Sequence, residues 1–285
     1  MAIQNRYDFV MLFDVENGNP NGDPDAGNSP RVDAETGYGY ITDVCLKRKV
    51  RNYVELIKEG EAGYAILIKP DKALNTKFTE AYVAEGLPTK KSAIKEDDVL
   101  KARNYMCKNY YDVRAFGAVM STGDNPCGIV RGPVQITFAK SQSPISVEDI
   151  TITRQSRTKV ESTETGNTEM GKKSIIPYAL YRAEGYVSAA LANKLTDLSE
   201  DDLELLWKDL INMFEIDHSA ARGKMSMRKL YVFKHDSVLG ECPSSILFDK
   251  IAVKQVEEIP PRKFSDYSIE VDRQMPDGVQ LIEKL

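Results

Sequence analysis

The chain has 285 residues, 28% of them charged and 42% hydrophobic, with 38 Lys and Arg against 43 Asp and Glu for a net charge of −5. That length suits one large domain or a domain with insertions and allows a substantial core, and the lack of any run of about 18 apolar residues excludes a membrane-spanning helix. Residues 1–6 lack the apolar stretch of a signal peptide, and Cys45, Cys107, Cys127 and Cys242 are scattered with only His218 and His235 to help them hold zinc, so the composition predicts a cytoplasmic protein with reduced thiols, no metal and no cofactor.

Residues 7–15 alternate as a strand, with Phe9, Met11 and Phe13 on one face. The run that follows, Asp14-Val-Glu-Asn-Gly-Asn-Pro-Asn-Gly-Asp-Pro-Asp25, reads as a loop, neither helix nor strand. Gly18 and Gly22 allow positive φ, while Pro20 and Pro24 fix φ and remove donors. Such a loop presents bare backbone amides that can wrap a polyanion, with Asn17, Asn19 and Asn21 as candidate contacts.

Thr42 or Asp43 then caps a helix running to about Lys58, with Leu46, Val50, Tyr53, Val54 and Ile57 as its buried stripe. Lys47, Arg48 and Arg51 share one flank of that helix, which makes them candidate phosphate contacts, and Lys49 falls on the other. Residues 60–128 read as a helical insertion, with one helix opened by Asn75 or Thr76 and a second over about 95–110. Strand character returns at 132–138. A β-branched, basic segment carrying Arg154 and Arg157 leads from 150 through the polar stretch 161–167 toward Ile175, the pattern of a long projecting hairpin. Residues 175–189 are strand-like, 199–214 form an amphipathic helix capped at Ser199, 227–233 are a strand, and 244–256 add another.

With the insertions removed, the order is strand, helix, strand, strand, helix, strand, which predicts an α+β protein of the ferredoxin-like kind shared by RNA-recognition domains. The charge is unevenly spread. Residues 196–217 hold eight acids and one base, a local balance of −7 that leaves +2 for everything else. Arg222, Lys224, Arg228, Lys229 and Lys234 meet no acid between 222 and 234, and Met225 beside them can lie against unstacked bases or fill core. Asp112-Val-Arg-Ala-Phe-Gly117 partly matches an RNA-recognition consensus at Arg114 and Phe116.

Two other chemistries use the same loop. Asn17, Asn19, Asn21 and Gly22 have the spacing of a calcium loop, but Asn28 stands where that pattern needs a bidentate Glu. Asp14, Glu16, Asp23, Asp25 and Asp33 supply the carboxylates that a metal-dependent nuclease needs. No Walker, nucleophile-elbow or zinc pattern accompanies them.

Taken together, Asn17-Gly-Asn-Pro-Asn-Gly-Asp-Pro-Asp25, the basic helix at Lys47, Asp112-Val-Arg-Ala-Phe-Gly117, Ile176-Pro-Tyr-Ala-Leu-Tyr181 and Asp217-His-Ser-Ala-Ala-Arg-Gly223 closely resemble the repeated backbone subunit of CRISPR Cascade complexes, the Cas seven family, nearest to type I-C. The resemblance implies a palm over 1–59, 129–149 and 176–285, a helical finger or web over 60–128, and a hairpin thumb over 150–175. It also implies the partners: CRISPR RNA, the target DNA strand paired through that guide, head-to-tail copies of the chain and other Cascade subunits. Members in type I systems are generally non-catalytic, whereas some type III relatives cut RNA from an aspartate, so the nuclease alternative stays open on the sequence.

Overall fold

The computed structural model describes residues 1–154 and 169–285, which form a mixed α/β fold built on an antiparallel sheet. In chain order the elements are β1 (Tyr7–Gly18), β2 (Gly22–Asp23), β3 (Ser29–Pro30), β4 (Tyr38–Ile41), α1 (Asp43–Ile57), α2 (Leu74–Ala84), α3 (Glu96–Asn109), α4 (Tyr111–Phe116), β5 (Gly117–Met120), β6 (Gly128–Arg131), β7 (Val134–Ile136), β8 (Ala139–Pro144), β9 (Glu148–Arg154), β10 (Glu169–Val187), α5 (Glu200–Asn212), β11 (Lys224–His235), α6 (Ser244–Phe248), β12 (Ile251–Gln255), β13 (Tyr267–Val271) and β14 (Val279–Glu283). The main sheet runs β14-β11-β1-β10-β8-β4, and β7 and β9 also pair with β10. Among the described residues, no helix is long and apolar enough to cross a membrane.

Strand β1 is central and is buried on both faces. Phe9, Met11, Phe13 and Val15 point into the larger core, where Leu46, Val50 and Val54 of α1 meet Leu203, Leu206, Trp207 and Leu210 of α5. Phe9 meets Trp207 edge to face at 5.4 Å. Gly185 sits opposite Phe9 on β10, where a Cβ would come within 2.0 Å of the ring, so glycine makes the room that this aromatic fills. The alternate residues Val10 and Leu12 face the other way, where α6, β12 and β13 close over them with Leu247, Phe248, Ile251 and Tyr267. A third cluster joins α2 and α3 to the β5–β6 hairpin through Phe78, Tyr82, Ala102, Met106, Met120 and Val130.

Local sequence explains the ends of the helices. Thr42 caps α1 by accepting the Cys45 amide, and Ser199 and Asp202 exchange hydrogen bonds as a capping box on α5. Two expectations are corrected. Residues 244–256 form α6 and then β12 rather than one strand, because a helical turn after Pro243 buries the adjacent pair Leu247 and Phe248 together. The Gly/Pro/Asn run is also more ordered than a loop: β1 continues to Gly18, β2 pairs with β3, and Pro24–Ala26 is a 3-10 turn. Gly18 is what lets the strand continue, since a Cβ there would lie 1.9 Å from the Arg222 carbonyl oxygen.

The hairpin base is present as β9 against β10, in register from Arg154 opposite Glu169 to Glu148 opposite Ile175. Arg157 and the stretch 161–167 lie outside the described residues.

Candidate nucleic-acid interface

At the Gly18 end of β1, two loops pack main chain to main chain. The Asn19 amide donates to the Ala221 carbonyl at 2.8 Å, and Asn19 Nδ2 donates to the Asn28 carbonyl at 2.7 Å. Gly223 has φ +64, and a Cβ on it would lie 2.5 Å from the Glu16 and Asn17 carbonyl oxygens. Neither glycine tolerates a side chain, so 17–22 and 217–223 act as one platform. Asp217 ties that platform to α1 by accepting from Lys49 Nζ and from Arg222 Nε, the latter at 2.7 Å. Burial pushes the Lys49 ammonium below its usual range and raises the neighbouring Cys45 thiol.

Beside the platform lies a cleft of about 400 Å³, walled by Asn19, Asn28, Ser29, Asp149, Lys172, Lys173, Ser174 and Ala221. Asn19 Oδ1, on this wall, is buried without a hydrogen-bond partner among the described residues. Lys173 Nζ donates to the Ala220 carbonyl, tying the hairpin base to the second loop, while Lys172 is exposed. Sequence reasoning missed both lysines. Their signal is an adjacent basic pair immediately before the strand at 175.

The expected contact residues divide. Asn17 is exposed with φ 51, and Lys224 is exposed with Nζ 3.4 Å from Glu16. Arg222 is partly exposed at the platform rim, and Arg154 ends β9 opposite Glu169. Asn21 serves the fold: its Oδ1 accepts both the amide and the hydroxyl of Thr42 at 3.0 Å, which fixes the start of α1. Lys47 Nζ reaches Asp43 at 3.0 Å and Gln135 at 3.3 Å. Arg48 donates to the Ile68 carbonyl at 2.7 Å and walls a groove of about 590 Å³ that also contains Lys69 and Lys72.

Four of the expected contacts are interior residues in this structure. Arg51 Nε donates to Asp112 Oδ2 at 2.8 Å, and Asp112 also accepts the Leu67 and Ile68 amides at 2.8 and 3.1 Å. Arg114 holds Asp202 with two bonds of 2.9 and 2.7 Å and donates to the Cys107 carbonyl. Phe116 is 7% exposed beneath Lys47 and Arg51, and Met225 is 4% exposed in the larger core. A buried guanidinium requires a paired carboxylate, and both arginines have found one inside the fold.

The carboxylates of the nuclease alternative are held separately. Asp14 accepts from Tyr178 Oη at 2.9 Å and Arg228 Nε at 2.8 Å, and burial raises its pKa. Glu16 meets Lys224, Asp23 meets Arg31 at 3.3 Å, Asp33 accepts from Thr36 at 2.6 Å, and Asp25 is exposed. Among the described residues no group of three His, Cys, Asp or Glu side chains converges in a way that could hold a metal ion. The calcium spacing is not realised as a ligand set either, since the Asn21 oxygen is taken up by Thr42.

The chain is thus a mixed α/β protein with helices packed on both faces of an antiparallel sheet and a cleft at the Gly18 end walled by asparagines and two lysines. A family model described as CRISPR-associated protein Cas7 matches residues 5–272, and the chain belongs to that family. A CRISPR-associated protein Cas7 from Haloferax volcanii is 28% identical over 255 residues, covering 81% of this chain and 71% of the relative. Among solved structures, a chain from a CRISPR RNA-guided surveillance complex in a pre-nicking state has a TM-score of 0.49 at 14% identity, covering 80% of this chain and 78% of that one. A chain from another CRISPR RNA-guided surveillance complex has a TM-score of 0.44 at 14% identity, covering 80% and 68%.

Proposed function

We propose that this chain binds CRISPR RNA as the repeated backbone subunit of a type I surveillance complex, nearest to type I-C, in the cytoplasm. Copies polymerise head to tail along the guide with other Cascade subunits and present the spacer for pairing with target DNA. The observation that carries this reading is the family match over residues 5–272. The cleft beside Asn19 supplies fitting chemistry: main-chain groups and lysines that hold phosphates without regard to base, so one protein can carry any spacer. Sequence specificity is then left to base pairing. Unlike faces meeting head to tail give an open helical filament rather than a ring.

In this reading the β11-β1-β10-β7 part of the sheet is a ferredoxin-like palm, since it places the last, first, third and second core strands side by side. Residues 60–128 are the finger or web. The β9–β10 hairpin is the thumb, its base anchored through Lys173 beside the RNA path. The chain acts by binding and assembly, a role supported by the separate engagement of Asp14, Glu16, Asp23 and Asp33 with neighbouring side chains.

Incubation of the purified protein with labelled RNA, with and without Mg²⁺, tests the non-catalytic part, and intact RNA is expected in both. Mg²⁺-dependent cleavage that disappears in Asp23→Ala or Asp25→Ala would replace this reading with the nuclease alternative. Replacing 155–168 with a tight Asn-Gly turn leaves a folded monomer and shortens the filaments formed on guide RNA, as read by electron microscopy. Full-length filaments would remove the thumb assignment.

A further inference from the structure

The second face of the sheet is closed over part of its width and bare beyond it. The C-terminal elements α6, β12 and β13 cover Val10 and Leu12 of β1, Tyr178 and Leu180 of β10, and Tyr231 and Phe233 of β11. Arg182 marks the border, donating to the Phe248 and Ile251 carbonyls. It pairs with Lys140 on β8, and Lys140 pairs with Tyr40 on β4, so all three lie on this same face. Alternation sends Gly39 and Ile41 to the opposite side, where Ile41 joins the larger core.

The uncovered strip therefore presents Tyr38, Tyr40, Phe138 and Lys140. The rings of Tyr40 and Phe138 are nearly parallel, 4° apart with centroids at 6.3 Å, and Lys140 Nζ lies 4.7 Å from the Tyr38 ring centroid. Phe138 is 55% exposed. Two nearly parallel rings, Tyr40 on β4 and Phe138 in the link just before β8, with a cation alongside, match the surface on which single-stranded RNA stacks its unpaired bases. Along the chain, the strip adjoins residues already described at the rim of α1. Tyr40 lies two residues before Thr42, which Asn21 holds, and Gln135, bonded by Lys47, lies three residues before Phe138.

We propose that Tyr40 and Phe138, with Lys140, form a base-stacking platform for single-stranded RNA on the uncovered strip of the sheet. The inference rests on the RNA-binding function proposed above. It assigns to the bases, not the phosphates, a contact that tolerates any sequence because every base offers a π face. A second copy of the chain seated on the same rings is the competing occupant, and the test separates the two.

The test measures affinity for an unstructured oligoribonucleotide and for an abasic oligomer of equal length and charge, using wild type, Phe138→Ala, Tyr40→Ala and Phe138→Trp. Wild type is expected to favour the base-bearing strand by about tenfold. Phe138→Ala and Tyr40→Ala should lose that preference while binding the abasic strand as wild type does. Phe138→Trp should restore it, with tryptophan fluorescence quenched on binding. Equal preference in all four proteins, with RNA still bound, would overturn the platform and leave the function intact. Normal RNA binding by Phe138→Ala together with loss of self-association would overturn it in favour of a second copy. No RNA binding by wild type would remove the function and the platform together.

Discussion

Helix α1 carries Lys47, Arg48, Lys49 and Arg51 in close succession, and they meet opposite environments. Lys47 and Arg48 lie along the rim, with polar partners at the helix start and in a groove. Lys49 and Arg51 are buried, one on Asp217 and one on Asp112, each tying the helix to a different segment. Lys49 orders the second platform loop and Arg51 orders the start of the helical insertion. The contrast teaches that a basic helix marks a polyanion site only through the charges that the interior has not taken. Here the buried cations build the scaffold, and the proposed RNA contacts fall to the rim cations.

The largest effect that would break this contrast lies in the interior. Removing one partner of the buried Arg114 and Asp202 pair leaves an uncompensated charge, so Arg114→Ala or Asp202→Ala is expected to cost about 3–5 kcal/mol in chemical denaturation. RNA affinity measured on the fraction that remains folded should stay near wild type. A fully stable Arg114→Ala protein with weakened RNA binding would return Arg114 to the interface.

At the rim the balance reverses. Lys47→Ala with Arg48→Ala should change stability by no more than about 1 kcal/mol, the range of partly exposed pairs, while lowering RNA affinity several-fold and reducing its salt dependence. Unchanged affinity at unchanged melting temperature would make both residues structural.

A pH-dependent effect sharpens the role of α5, whose sequence is strongly acidic. Asp202 is buried against Arg114, and Asp209 is buried with neither carboxylate oxygen hydrogen-bonded among the described residues. Burial pushes Asp209 up to about 9 from 3.8. The folded state therefore keeps a proton that the unfolded chain releases, so its contribution is full below pH about 4 and is lost as pH rises toward about 9. Asp209→Asn should flatten that decline in denaturation measured across the same range. An unaltered pH profile would mean that Asp209 is ionised in the fold.

Periodicity made much of this fold legible before any coordinates. The apolar stripe of α1, the Ser199 cap of α5 and the alternation of β1 all appear where those signals place them, because local caps and burial act in concert there. The fate of individual charges was not legible. Arg51 sits one helical turn from Lys47, and only Asp112, brought up by α4, separates an anchor from a rim cation. The same holds for Gly18, whose small size reads as loop freedom in the sequence but serves close approach to the Arg222 carbonyl in the fold. The exposure of Phe138 and the partial exposure of Tyr40 depend on which strip of the sheet the C-terminal segment leaves uncovered, a property of tertiary structure alone.

The central claim is that the chain holds RNA by its phosphates and by any base, without reading sequence. Affinity for several unrelated single-stranded RNAs of equal length, measured across a salt series, tests it most directly. The account predicts near-equal affinities at each salt concentration and a common steep fall between low and physiological salt, as several phosphate contacts per subunit require. A strong preference for one sequence, or an affinity that does not respond to salt, would contradict it.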